Sequence, residues 1–477
     1  MLKTRRKICD WLQDLREHIR RHYLLKFNHD VPDNFFAAFG KKYMSGAQNL
    51  QRLDNLNPRT DAGAALKNGW PKYIWLIALL PFFQALVTWD FDGDLSGLQY
   101  ALRHLSIPAL TGEIIFLLYS LRSAFSPWNT ARQMPLPVQA LLGIWIAFAV
   151  SASVFQHDDK PASLLAASRF GLHMCFLAAV AHYIKRSQTP DISRWLNAIS
   201  VGIICYIAAL TIFALCVPEP ATFKWATRLP SATNIRQIAN IVAIPAAAPI
   251  ALLLFGNERH RRASALWLTI IVTFLAWSGS RTALFAVIIS IFSAMIFMRA
   301  LPKAKSLAVL AACFATGLLA SLPLPTPTSA FGLFRMLDKM QEQDNVSSGR
   351  VEFWMNTIGE ISKHPWLGYG SGRFRQNMHE IYGTDFNHPH NFILQFTYDW
   401  GIFGAAAILS LLLYLLWMII KRAPSNPLAG FVALLGISIL CAIAMVDGAF
   451  FYPLTIIAAI ILTAPILAHA DKNTKVA

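Results

Sequence analysis

"NHPHNFILQFTYDWGIFGAAAILSLLLYLLWMII", residues 387–420, decides what kind of protein this is. From Gly401 to Ile420 no residue carries a charge. Twenty helical residues at 1.5 Å each span about 30 Å, the thickness of a bilayer core. Just upstream stand two histidines and an asparagine, His388, His390 and Asn391. Their chemistry depends on which side of a membrane they face.

The rest of the chain agrees with a membrane reading. Of 477 residues 55% are hydrophobic and only 14% are charged, with a mean hydropathy of +0.43. That charge is too little to cover a soluble surface of this size. The six cysteines (9, 175, 205, 216, 313 and 441) have no paired spacing and read as small apolar fillers. The net charge of +16 is not a nucleic-acid signal, because it is distributed by loop. No cleavable signal peptide is visible. Residues 1–72 hold 14 Lys or Arg against seven acids and are expected to stay in the cytoplasm. Within them, Trp11, Leu12, Leu15, Ile19, Tyr23 and Leu24 share a helical face, as in a basic helix lying on anionic lipid.

Threading outward gives apolar spans at about 73–89, 107–121, 135–155, 162–184, 195–216, 237–255, 264–279, 282–298, 306–322, 401–420, 427–447 and 449–469. Basic residues follow every second one: Arg122 and Arg132; Lys185, Arg186 and Arg194; "NERHRR" (257–262); Arg299, Lys303 and Lys305; Lys421 and Arg422. The opposite loops carry "DFDGD" (90–94) and "HDD" (157–159). The positive-inside rule then predicts an all-α polytopic membrane protein with about 12 transmembrane helices and both termini cytoplasmic. Arg169, inside the fourth span, reads as the mark of a misplaced boundary.

Residues 323–391 form a large outer loop between helices 9 and 10, expected to be folded. "SGRVEFWMNTIGEISKHP" offers Ser347 and Ser348 as caps. It brings Val351, Trp354, Ile358 and Ile361 onto one face before Pro365 ends the helix. Gly368, Gly370 and Gly372 make a tight turn, and a second helix is expected around 374–382. The chain thus divides into a basic region (1–72), helices 1–9 (73–322), the loop (323–391) and helices 10–12 with a short tail (392–477). Gly401 and Gly404 share a face that lets a neighbouring helix approach.

His390-Asn391, nine residues, then Gly401-x-x-Gly404 resembles the signature of the O-antigen ligase and polymerase superfamily of bacterial membrane glycosyltransferases. "SGSRTALF" (278–285), "SSGRVEFW" (347–354) and "HPWLGYGSGRF" (364–374) resemble that family's further elements, in the same order. The resemblance covers about residues 195–420; the long basic N-terminal region departs from it. It implies an inner-membrane enzyme working on the periplasmic side without a metal or cofactor, with a histidine base and arginines on a lipid diphosphate. Its donor would be an undecaprenyl-diphosphate-linked glycan, and its acceptor lipid A-core. A polymerase or a protein O-glycosyltransferase would share these elements.

The chemistry can be read beside the resemblance. A departing lipid diphosphate develops negative charge at headgroup level, which arginine forks neutralise with bidentate bonds. Outer-side candidates are Arg228, Arg236, Arg281, Arg350, Arg373 and Arg375, with Arg281 singled out by its short turn between two spans. His390 is the candidate base for an acceptor hydroxyl in an inverting attack, with His388 and Asn391 orienting it or binding sugar. Trp354, Trp366 and Tyr369 are candidates for sugar stacking, and Asp399 for an arginine partner. No acidic pair at glycosidase spacing and no cation-binding acidic cluster is evident. A 12-helix transporter is the rival of a different class, but no repeated halves are visible.

Overall fold

The computed structural model describes residues 75–91, 102–103, 105–156, 158–186, 191–225, 228–232, 234–299, 301–328, 331–334, 350–383 and 386–468. Expectations for the basic N-terminal region, the C-terminal tail and the caps Ser347 and Ser348 lie outside these residues. All regular secondary structure among the described residues is helical.

The helices are α1 (Leu80–Val87), α2 (Ile107–Arg122), α3 (Leu136–Phe155), α4 (Lys160–Arg186), α5 (Ile192–Cys216), α6 (Ile235–Ala243) and α7 (Ala247–Phe255). Next come α8 (Glu258–Trp277), α9 (Arg281–Met298), α10 (Ala304–Ser321), α11 (Arg350–Lys363) and α12 (Phe374–Tyr382). The chain closes with α13 (Phe392–Arg422), α14 (Pro427–Ala444) and α15 (Pro453–Ala468). Among the described residues eight helical stretches are long and apolar enough to cross a membrane: α3, α4, α5, α6 with α7, α9, α10, α13 and α14. The chain is a multi-pass membrane protein. The four remaining expected spans are shorter as apolar helices: α1 has 8 residues, α2 has 16, α15 has 16, and α8 begins in the charged "ERHRR".

Boundaries follow local chemistry. Asp191 caps α5 through Arg194 N, Asn234 caps α6 through Gln237 N, and Asn426 caps α14 through Ala429 N. The α6–α7 pair is the centre of the bundle, 94% buried, and breaks at Ile244–Ala246. Around it α13 packs along α3, α8 along α10, α9 along α14, and α15 between α14 and α4. Polar crosslinks tie these apolar surfaces: Trp195 Nε1 donates to Ile461 O at 2.7 Å, and His173 Nδ1 meets both Glu113 oxygens at 2.8 and 2.9 Å.

Four expectations are corrected. Helix α4 runs unbroken through Arg169, so that residue is no boundary marker; it lies within electrostatic reach of the buried Asp399 carboxylate. Cys216 is disulfide-bonded rather than a free filler, whereas Cys175, Cys205, Cys313 and Cys441 are free. On α11 the inward residues are Phe353, Thr357 and Glu360, while Val351 and Ile358 are 56% and 47% exposed. The inward face is selected by Phe374, Met378 and Tyr398, which form a small separate core with Phe353.

The fourth concerns Gly401. It does not sit on a straight helical packing face: φ 67° and ψ −179° break α13 there. Gly368, itself at φ 71°, and its turn dock into this break. Tyr369 N donates to Tyr398 O at 2.8 Å, Gly370 N to Asp399 O at 3.0 Å, and Ile402 N to Pro365 O at 2.8 Å. The backbone groups freed by the kink are thereby satisfied. Gly404 does serve close packing, since a Cβ there would lie 3.0 Å from Phe148 Cβ on α3.

Candidate active site

The stretch 386–391 enters α13 through Asn391, whose side chain accepts from Ile393 N and Leu394 N at 3.0 and 3.1 Å. Asn391 is therefore the helix cap, and its oxygen is committed to backbone. One residue earlier, His390 takes φ 55°, a left-handed conformation unusual for a residue with a Cβ. Its own N–H donates to His388 Nδ1 at 3.3 Å, and Trp354 Nε1 donates to Pro389 O at 2.8 Å. These contacts hold the turn in shape and leave the His390 ring about a quarter exposed.

His390 Nδ1 lies 3.3 Å from Asp447 Oδ1. A carboxylate only accepts, so the Nδ1 proton points at Asp447 and the Nε2 lone pair is left for a substrate. Helix α14 stops at Ala444, short of the expected 447, which places Asp447 in the turn beyond it. That carboxylate also accepts from Gly448 N at 2.7 Å and from Asn240 Nδ2 at 2.8 Å. Burial pushes Asp447 up, but the His390 bond and charge, the nearby His388 and the Asn240 bond outweigh it and hold the group below the usual carboxylate range.

His388 is buried and supports this pair. Because Nδ1 accepts from a backbone N–H, the proton is on Nε2, which donates to Tyr452 OH at 3.0 Å. Gln237 Nε2 donates to the same hydroxyl at 2.6 Å, and the His388 ring stacks on Phe451. A Cβ at Gly448 would fall 2.1 Å from His388 Nε2, so only glycine leaves room for the ring. His388 is thus a support for His390, not a group open to sugar.

Three of the six candidate arginines converge here. Arg281 opens α9 after the turn Ser278–Ser280, Arg236 lies in the first turn of α6, and Arg350 opens α11. Burial lowers the affinity of Arg350 for its proton; Asp447 counteracts this, and Arg236 and Arg281 add to it by like-charge repulsion. Those interactions place Asp447, Arg236 and Arg281 each within electrostatic reach of Arg350. Arg236 and Arg281 make no hydrogen bond or ion pair among the described residues, so their forks are available.

The other three are elsewhere. Arg373 bonds Gln156 O at 2.6 Å, Asp158 Oδ2 at 3.0 Å and Asn377 Oδ1 at 3.0 Å, which ties α12 to the α3–α4 turn. Arg228 is half-buried in the α5–α6 connection and Arg375 is exposed on α12. The aromatic candidates are also committed. Trp354 holds Pro389, and Tyr369 stacks on Tyr398 with its hydroxyl on Glu360 Oε2 at 3.1 Å. Trp366 stacks on Phe403.

Beneath the cluster lies an apolar cavity of about 410 Å³ between α4, α13, α14 and α15. Phe392, Phe396 and Phe450 line its upper end, and Leu412, Leu416 and Cys441 are among the residues lining the rest.

Sequence reasoning missed Asp447, Asn240, Gln237 and Tyr452. A signal existed: Asp447 is a lone acid at the end of an apolar span, and Gln237 and Asn240 interrupt another one turn apart. Polar groups at such depth are functional candidates by default.

Comparison with protein-family models matches residues 263–409 to the family described as O-antigen ligase. The matched stretch contains Arg281, Arg350, His390, Gly401 and Gly404, and leaves out Arg236, Asn240 and Asp447. No curated protein matches the chain.

Proposed function

We propose, from the match of residues 263–409 to the O-antigen ligase family, that the chain is an inner-membrane glycan transferase. In this reading it moves an undecaprenyl-diphosphate-linked O-antigen onto lipid A-core at the periplasmic surface. The topology that goes with it has about 12 spans, both ends in the cytoplasm and the 323–391 loop outside.

The observation that carries the reading is the His390–Asp447 pair, 3.3 Å apart, with Arg350 within electrostatic reach of Asp447 and Arg236 and Arg281 within reach of Arg350. Three guanidinium groups against one carboxylate leave two positive charges. A diphosphate esterified at both ends carries two negative ones. Arginine forks hold its oxygens as the sugar–oxygen bond breaks and charge builds on the leaving group. The cavity beneath, lined by Phe392, Phe396 and Phe450 at its mouth, suits the isoprenoid chain.

On the other side of the sugar, His390 Nε2 accepts the proton of the acceptor hydroxyl as its oxygen attacks the anomeric carbon. Asp447 keeps Nδ1–H in place and offsets the imidazolium charge that forms. The hydroxyl oxygen gains the sugar, the histidine gains the proton, and undecaprenyl diphosphate leaves from the opposite face, so the anomeric configuration inverts. The residues need no metal for these steps.

The test is a lipopolysaccharide gel on a deletion strain complemented with wild type or His390→Ala. Bare core with glycan accumulating on its carrier lipid, restored by wild type alone, is the expected result. Core bearing a single repeat unit would instead make the protein a polymerase. An unchanged ladder would remove lipopolysaccharide from the account.

A further inference from the structure

Helix α11 has three sides, and one has no partner among the described residues. Phe353, Thr357 and Glu360 face inward; Phe353 packs its ring on Phe374 and Phe386 at 5.7 and 4.8 Å. At about 100° per residue, Glu352 and Lys363 fall together on a polar flank. Val351, Met355 and Ile358, spaced i, i+4 and i+7, fall on a third flank, roughly 100° round the helix from the polar one. They are 56%, 63% and 47% exposed. Ser362 lies on the same flank, but its hydroxyl is satisfied by Gly359 O at 2.7 Å.

The segment that follows α11 fixes its level. Trp366 stacks on Phe403 with ring centroids 5.7 Å apart, and Phe403 in turn packs on Phe148 at 5.7 Å. Phe148 lies seven residues before the end of α3 at Phe155. Seven residues of helix correspond to about 10 Å along the axis. The turn after α11 therefore reaches roughly 10 Å inside the end of a membrane-crossing helix. At that level Trp366, Phe403 and Ile402 are 62%, 50% and 47% exposed. Lys363, which ends α11, is three residues from Trp366 and at most about 10 Å away.

We propose that α11 lies in the membrane surface, with Val351, Met355 and Ile358 seated in the outer boundary of the lipid acyl region. The exposed apolar flank continues the lipid-facing surface of α13, and the polar flank faces water, as an interfacial helix requires. Trp366 is the interfacial anchor. The consequence is positional. Arg350 is the first residue of α11, and Trp354 holds Pro389 next to His390. Seating α11 in lipid sets the level of both groups at the headgroup layer. The inference does not depend on which reaction the site performs.

The test uses Met355→Cys and Ile358→Cys on the apolar flank, with Glu352→Cys and Lys363→Cys on the polar flank. Each full-length chain is labelled with a bimane fluorophore and placed singly in nanodiscs of phosphatidylethanolamine and phosphatidylglycerol. Wild type taken through the same labelling supplies the blank for native thiols. Labels on the apolar flank are expected to be quenched by doxyl lipid at least twofold more than those on the polar flank. Quenching by iodide should be several-fold weaker at the same positions. Equal iodide access at all four positions would overturn the proposal and leave α11 in water. Shielding of Met355 and Ile358 from both quenchers would overturn it too, because a protein surface would then cover them.

Discussion

Replacing Gly401 with alanine is expected to undock the loop from the bundle while leaving the bundle folded. The glycine occupies φ 67°, ψ −179°, a region reached in practice by glycine alone. Forcing alanine into it costs about 1–3 kcal/mol. The added Cβ would also stand 2.1 Å from Trp366 O and 2.4 Å from Trp366 C, both backbone atoms that cannot swing aside. Relief requires moving the Pro365–Gly370 turn, which breaks the bonds to Tyr398 O and Asp399 O and the one from Ile402 N. At about 1 kcal/mol net each, these add roughly 3 kcal/mol. The sum of about 4–6 kcal/mol corresponds to a shift in docking equilibrium of roughly 10³- to 10⁴-fold. Transfer measured in nanodiscs should fall at least a hundredfold, and trypsin should gain access to Lys363, Arg373 and Arg375. Gly404→Ala is the internal control. Its Cβ meets Trp400 Cβ at 2.6 Å and Phe148 Cβ at 3.0 Å within regular helix, an overpacking cost of about 1–3 kcal/mol. It should reduce yield and activity less than tenfold and leave the loop protected. Wild-type protease resistance in Gly401→Ala, or equal effects at both glycines, would refute the reasoning.

Three further outcomes are expected. Asp447→Asn keeps the shape but removes the anion facing His390, so turnover should drop by about 10²-fold or more. Turnover close to wild type would separate Asp447 from the base. Arg281→Lys keeps the charge and loses the fork, so activity should remain well below wild type with a raised KM for the lipid-linked donor; full rescue by lysine would mean that charge alone matters. Glu360 tests the loop by pH. Burial pushes its carboxyl up, but bonds from Lys363, Tyr369 and Tyr382 outweigh this and hold it below the ordinary range. Its contribution is therefore complete above the unfolded value of about 4.3 and is lost as pH falls through the lower folded value. Hydrogen exchange of α11 and α12 should rise between pH 5 and pH 3 in wild type, and Glu360→Gln should flatten that rise.

Much of the architecture was legible because bilayer physics writes it into composition. A charge-free stretch such as 401–420 and the alternation of basic loops are enough to place helices to within a few residues: 135–155 was expected against 136–155, and 282–298 against 281–298. What periodicity could not give was which face of a loop helix turns inward. On α11 both the Phe353 side and the Val351 side carry apolar residues. The choice is made by Phe374, Met378 and Tyr398, more than twenty residues away in the chain. The break at Gly401 was invisible for a similar reason. Glycine in an apolar helix reads as a packing residue, and only the presence of the 364–370 turn, with three backbone groups to exchange, turns it into a hinge.

The site divides along the same line. His390, Arg281 and Arg350 could be proposed from the sequence because a reactive side chain in a short motif, or an arginine in a two-span turn, stands out locally. Asp447 and Asn240 interrupt apolar spans but carry no motif, and Tyr452 looks ordinary in its segment; they acquire a role only when α6 and the α14–α15 turn close around the histidine. Arg373 is the opposite case. Its motif placed it beside the glycine turn, yet Asp158 and the Gln156 carbonyl bind it first. An arginine already holding a carboxylate and a carbonyl has little left for a phosphate, whereas Arg236 and Arg281 have their forks open. Availability, more than membership of a motif, separates the two sets. Availability is a property of the folded neighbourhood, which the order of residues along the chain does not record.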